Sequence, residues 1–192
     1  MKISFGFSRG GALLFLALCL APVAQALNNN GQTDILWRNA AALANDGWAM
    51  NGGTLTGTIS LPATGGTDAA NWRMIGTGDF NHDHQLDILW FHLNLRIVAI
   101  WFMNGNTVLS TTDSSQNPAA LPYGATGWAP LTTGYFGGPA DKDVDILWRH
   151  TDGTVAVWHM NGPAIASAAW CIPTPSHWSG RSAERGISMA TD

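Results

Sequence analysis

The sequence predicts an all-β chain built from about three copies of a four-stranded unit, behind an N-terminal leader. Three observations predict it. Charged residues are 11 % of the 192-residue chain, under half the ~25 % of an average soluble domain, and the single Glu is Glu184. Glu, Lys and Arg normally fill the exposed faces of helices, so their scarcity argues against helices. The chain holds 22 Gly, 9 Pro and 10 Trp, the material of turns and aromatic strands. The same words also return along the chain at even spacing. The aromatic content and low charge argue against disorder. A net charge of −4 without basic runs argues against a nucleic-acid partner.

The N-terminus reads as an address. Lys2 and Arg9 flank a polar start, an apolar run follows from Ala12 to Ala21, and Pro22 precedes the small-x-small triplet Ala24-Gln25-Ala26. This is the pattern of a secretory signal peptide over 1–26, cleaved after Ala26, and it implies a secreted or periplasmic protein. A spanning helix needs roughly 20 apolar residues, so no membrane span is expected. Leu18 stands before Cys19, where a lipoprotein signal wants a small residue. Cleavage takes Lys2 and Arg9 from nine basic residues, leaving seven against 13 acidic, a net charge of −6. It also removes Cys19, so Cys171 is the one remaining thiol and an internal disulfide is ruled out. Ala168 to Ile172 reads as apolar strand, and Cys171 is expected to be buried in it.

From residue 27 onward the chain is one repeated unit. Asp34-Ile35-Leu36-Trp37 returns as Asp87-Ile88-Leu89-Trp90 and as Asp145-Ile146-Leu147-Trp148, at spacings of 53 and 58. Met50-Asn51-Gly52 and Met103-Asn104-Gly105 each begin sixteen residues after the first Asp, and Met160-Asn161-Gly162 begins fifteen after it. Trp48, Trp101 and Trp158 precede these triplets, and Trp72 and Trp128 open the segments leading into the next copies. The copies run approximately 28–71, 72–127 and 128–177, with a truncated fourth from Trp178.

Within a unit the pieces read as short strands. Asp87 to His92 is apolar and aromatic. Ile97 to Met103 is β-branched and aromatic and ends at Asn104-Gly105, a hairpin signal. Thr107 to Thr111 turns polar, as an outer strand should. Trp128 to Phe136 follows a Pro/Gly/Ser loop. Four short strands in ~50 residues, repeated, is the signature of a β-propeller blade. Most of the recurring Trp residues are expected to pack between blades. Trp170 has no counterpart in the other copies and is the candidate for a specific role. His92, His150 and His159 are expected to be satisfied and partly exposed.

The segment before the second repeat carries chemistry. Asp79-Phe80-Asn81-His82-Asp83-His84-Gln85-Leu86-Asp87 places acidic or amide oxygens at positions 1, 3, 5 and 9. A loop curling round a hard cation presents alternate groups inward, and Ca²⁺ takes six to eight oxygens. The expected ligands are Asp79, Asn81, Asp83, the carbonyl of Gln85, and Asp87. The competing reading is an Asx-rich turn without metal. Before the third repeat, Tyr135 replaces the first acid and two residues are inserted, leaving Asp141, Asp143 and Asp145 as a weaker set. Before the first repeat only Asn28, Asn30 and Asp34 remain, and no tight site is expected there.

These residues resemble a known family. Trp72-x-x-Ile75-Gly76-Thr77-Gly78-Asp79-Phe80-Asn81-x-Asp83-x-x-x-Asp87-Ile88-Leu89-Trp90, followed by Val98-Ala99-Ile100-Trp101-x-Met103-Asn104-Gly105, resembles the FG-GAP/VCBS-type repeats of secreted bacterial proteins, which are similar to integrin α-subunit propeller repeats. The likeness covers about 28–180. It implies a β-propeller with Ca²⁺ in the hairpin between a blade's first two strands, and by motif match it carries over to Asp79, Asn81, Asp83 and Asp87. His82 and His84 stand where the family has Gly, which eases a tight loop. The two histidines also raise a Zn²⁺ reading, but a third and fourth soft ligand are missing nearby in sequence.

The function expected is a secreted, Ca²⁺-stabilised module that binds a glycan or an extracellular protein, with adhesion as its role and no catalysis. The one Gly-x-Ser-x-Gly, Gly6-Phe7-Ser8-Arg9-Gly10, falls in the leader. The chain has no Gly-rich phosphate loop, and its lone Glu excludes a paired-Glu glycosidase site. The rival is a hydrolase or lyase with its site on the blade loops. The longest inter-unit loops, 61–71 and 113–127, hold only Asp68 and Asp113 as charges, which argues for binding. The chain is expected to enter its first blade at the second strand, because 28–34 precede Asp-Ile-Leu-Trp without a first strand. Open blade edges are then expected to drive self-association. The tail Ile187-Ser188-Met189-Ala190-Thr191 matches Asp-Phe-Asn-Gly-Asp codons read one nucleotide out of register. A frameshift near 179–186 is therefore expected, making this a fragment of a longer repeat protein or a fragment without function.

Overall fold

The computed structural model describes residues 15–17, 27, 31–39, 41–64, 68–113 and 126–171. The repeat unit becomes a four-stranded antiparallel sheet, three times over. The first holds β1 (Phe15–Ala17), β2 (Ile35–Asn39), β3 (Ala44–Asn51) and β4 (Thr54–Leu61) in that order. A 3₁₀ turn, Ala69–Asn71, leads into β5 (Trp72–Gly78), β6 (Asp87–His92), β7 (Val98–Asn104) and β8 (Thr107–Asp113). The third has β9 (Trp128–Gly134), β10 (Asp145–His150), β11 (Val155–Asn161) and β12 (Ala164–Cys171). The described residues are all-β, and their three sheets are arranged in a propeller-like way without forming a closed propeller.

The first sheet differs from the sequence expectation. Its innermost strand is present and comes from the apolar run assigned to the leader, with Phe15 opposite Arg38 and Ala17 opposite Leu36. A strand needs only a few apolar residues and an edge to pair with, and β2 offers that edge.

Face alternation places the sheets side by side. Along β6, Ile88 and Trp90 point to the first sheet, packing with Leu36, Ile59 and Met103. Leu89 and Phe91 point to the third, packing with Ile146, Trp148 and Trp158. The middle sheet is thus covered on both faces, and every residue of β6 is buried. The inner strands approach closely because they carry glycine. A Cβ on Gly78 would lie 2.5 Å from Val144, and one on Gly76 2.7 Å from Thr133. Thr133 Oγ1 donates to the Thr77 carbonyl across this seam at 2.8 Å. Trp90, Trp148 and Trp158 are core residues as expected, while Trp37, Trp48 and Trp101 are only part-buried.

The spacing of the repeated words has a direct cause. Asp34, Asp87 and Asp145 are buried, and each carboxylate accepts two backbone N–H bonds. Oδ1 takes the N–H of Met50, Met103 or Met160, at 3.1, 2.9 and 2.9 Å. Oδ2 takes that of Leu27, Phe80 or Phe136, at 3.1, 2.9 and 2.9 Å. Pairing with the outer strand slips at the Met in all three copies, between Ala49/Met50, Phe102/Met103 and His159/Met160. The residue left out of the ladder by this bulge is on the outer strand, Thr56, Leu109 or Ala166, while the Met stays paired and gives its N–H to the Asp on its other side. The glycines that follow, Gly52, Gly105 and Gly162, have φ of +56°, +58° and +56°. Each is the first of two turn residues, which is the requirement of a type II′ hairpin.

Two further expectations are corrected. Cys171 is exposed, because the strand that carries it lies at the outside of its sheet. His92 is fully buried, 1 % exposed, and closes the β6–β7 turn: Leu95 N donates to its Nδ1 and its Nε2 meets Asp68.

Candidate functional site

The loop between β5 and β6 starts at Asp79, directly after Gly78 ends the inner strand, and closes at Asp87, the first residue of β6. Asp79 is buried and anchors the curl. Its Oδ1 accepts from Asp83 N at 3.0 Å and its Oδ2 from His84 N at 2.9 Å. Asn81 Oδ1 also accepts from Asp83 N, at 3.1 Å, and Asn81 Nδ2 donates to Asp83 Oδ2 at 2.9 Å. Asp83 Oδ1 accepts from Gln85 N at 2.8 Å. His82 and His84 take left-handed backbone, φ +62° and +66°. These are the two positions where the resembled pattern has Gly, so the tight curl is made here by residues that pay for the conformation. The His84 side chain stands in solvent, 3.8 Å from Asp79 Oδ2.

The loop concentrates negative charge. Burial raises Asp87 from 3.8 to about 6, against the pull of the N–H bonds from Met103 and Phe80, and the charges on Asp83 and Asp79 push it further up. Each carboxylate keeps acceptor capacity beyond the bonds described, since an ionised carboxylate has about four lone-pair sites. The donor set of Asp79, Asn81, Asp83 and Asp87 is all oxygen, the chemistry of a hard cation.

The equivalent loop before β10 is built differently. Tyr135 and Phe136 are exposed, and Asp141 takes the anchoring role, accepting from Gly137 N and Asp143 N, both at 3.0 Å. Asp141, Asp145 and His159 bring one ligand atom each within 4.8 Å of one another, the one such three-residue group among the described residues. The carboxylates of Asp79, Asp83 and Asp87 do not converge to that distance and accept from backbone N–H groups instead. Asp143 is not part of the group with His159. Its Oδ1 accepts from Gly162 N at 2.7 Å and lies 2.9 Å from His82 Nε2. The sequence set Asp141, Asp143 and Asp145 is therefore split, and Asp143 joins the loops of neighbouring sheets instead. His159 was missed as a site residue. It stands where the middle sheet has Phe102, and that exchange of Phe for His was its only signal. Its Nδ1 lies 3.1 Å from Asp145 Oδ2.

Before β2, Asp34 serves the buried clip alone, and Asn28 and Asn30 lie outside the described residues. Comparison with models of protein families, with curated proteins and with solved structures finds no match to this chain.

Proposed function

We propose that the chain is an exported propeller-repeat binding module of the FG-GAP/VCBS kind, with Ca²⁺ held in the 79–87 loop; cleavage after Ala26 removes β1 and leaves β2 as the inner edge of the first sheet. The observation that carries this reading is the loop itself: an all-oxygen set curled by left-handed backbone at residues 82 and 84, with buried Asp87 raised toward neutrality. Asp79, Asn81, Asp83 and Asp87 side chains, with the Gln85 carbonyl, are the ligands proposed. Asp141 and Asp145 form a second, weaker place, where the imidazole of His159 makes the donor set softer than Ca²⁺ prefers. The module binds a glycan or an extracellular protein. Asp68, one of the two charges in its long loops, is engaged with Asn71 and His92, which supports binding over catalysis.

Millimolar Ca²⁺ is expected to raise the thermal midpoint, because a ligand of the folded state stabilises it. Asp83→Ala is expected to remove most of that rise. Equal rises in both proteins contradict the ligand assignment.

Self-association follows from the same repeat. Leu131 and Phe136, 54 % and 41 % exposed, stand on the outer face of the third sheet where Ile75 and Phe80 of the middle sheet pack against a neighbour. A second copy supplies that neighbour. Light scattering is expected to show a mass that rises with concentration; a sharp monomer at all concentrations contradicts it.

A further inference from the structure

We infer that a cavity between the first and middle sheets is a binding site for a single neutral sugar ring. The inference rests on the binding-module reading above and supplies its ligand class. The cavity holds about 230 Å³ and is lined by Trp72, Trp90 and Trp101 with Thr64, Thr111 and Asp113. Drug-sized sites span ~300–1,000 Å³, so this one suits a monosaccharide or one terminal residue of a glycan.

Comparison with the third sheet shows how the cavity arises. Asp113 pairs with Ala99, and Thr111 with Trp101. At the matching register of the third sheet, Trp170 pairs with Ala156 and Ala168 with Trp158. There Trp170 lies edge-on against Trp128, ring centroids 5.2 Å apart, and both Trp128 and Trp158 are buried. In the middle sheet the indole is exchanged for a carboxylate and alanine for threonine. Their counterparts Trp72 and Trp101 are only part-buried. The same framework thus carries a filled, apolar version and an open version with a polar wall.

The polar groups decide between two ligand classes. An aromatic cage with one carboxylate also suits a quaternary ammonium. However, three threonines, Thr64, Thr111 and Thr112, share the lining with Asp113, and a quaternary ammonium has no group that hydrogen-bonds to a hydroxyl. A pyranose has several: its hydroxyls exchange hydrogen bonds with the threonines and donate to Asp113, while its C–H face lies on the indoles.

The full chain is titrated with methyl pyranosides of glucose, galactose, mannose and N-acetylglucosamine, and with choline, following tryptophan fluorescence and ligand-observed NMR. At least one pyranoside is expected to give a saturable response in the millimolar range. Asp113→Ala is expected to weaken it about tenfold, the scale of one charge-assisted hydrogen bond. Asp113→Trp, which copies the third sheet, is expected to abolish it while the thermal midpoint is kept. Saturation by choline alone overturns the inference. So does a pyranoside response that Asp113→Trp leaves unchanged in a folded protein, although the binding-module reading then stands. Absence of any response to all the probes overturns the sugar site, and the Ca²⁺ response of the same sample then judges the module reading separately.

Discussion

The loops before β6 and before β10 occupy the same place in neighbouring sheets and are held by the same buried clip, yet they present different chemistry. The first is anchored by Asp79 at the end of its inner strand and offers oxygen alone. The second has Tyr135 at that place, is anchored later by Asp141, and brings an imidazole beside its carboxylates. The difference separates two jobs that one motif had merged. Asp87 and Asp145 hold the fold, because Asp34 makes the same pair of bonds in a sheet whose preceding segment lacks the acidic pattern. Asp79, Asn81 and Asp83 lie outside this clip, and with Asp87 they are the ligands proposed for a cation.

That separation is broken most forcefully at the clip. Asp87→Ala leaves the N–H groups of Phe80 and Met103 without their partner in the core, at about 1–3 kcal/mol each. The expected loss is about 3 kcal/mol in chelator, measured by denaturant unfolding, and larger with Ca²⁺ present, because Asp87 is also a proposed ligand. Asp83→Ala in solvent is expected to cost little without Ca²⁺ and to matter only with it. A Ca²⁺-dependent loss for Asp87→Ala that vanishes in chelator places Asp87 in the loop alone and contradicts the clip.

A smaller effect sharpens the same point through pH. The folded chain holds Asp87 at about 6, against 3.8 for the free group, so between these values it binds more protons than the unfolded chain. Stability from this group is full below 3.8 and is lost as pH rises through about 6. Thermal midpoints in chelator are therefore expected to fall across that window, and saturating Ca²⁺, which favours the carboxylate, is expected to flatten the fall. A midpoint that rises across the window in chelator contradicts a buried, charge-crowded Asp87.

Much of the fold was legible because the repeat is written in backbone terms. Asp-Ile-Leu-Trp gave the buried strand, and the Met-Asn-Gly spacing turned out to be the length between the two ends of one hydrogen bond. What stayed hidden depends on neighbours remote in sequence. The pairing of Phe15–Ala17 with β2 joins segments whose apolar character fits a leader equally well. Asp143 shares its spacing with the proposed loop ligands, but Gly162 and His82 engage its carboxylate. Trp170 stands out in the sequence as having no counterpart, and in the structure it packs edge-on against Trp128; the residue at the matching place in the middle sheet is Asp113, beside the cavity.

The central claim is that the 79–87 loop, rather than the 141–145 loop, is the principal cation site. Calorimetric titration of Ca²⁺ into the full chain, Asp83→Ala and Asp141→Ala tests it most directly. The account predicts one tighter binding event that survives Asp141→Ala and disappears in Asp83→Ala. Retention of that event in Asp83→Ala together with its loss in Asp141→Ala would place the cation with Asp145 and His159, and would contradict the account.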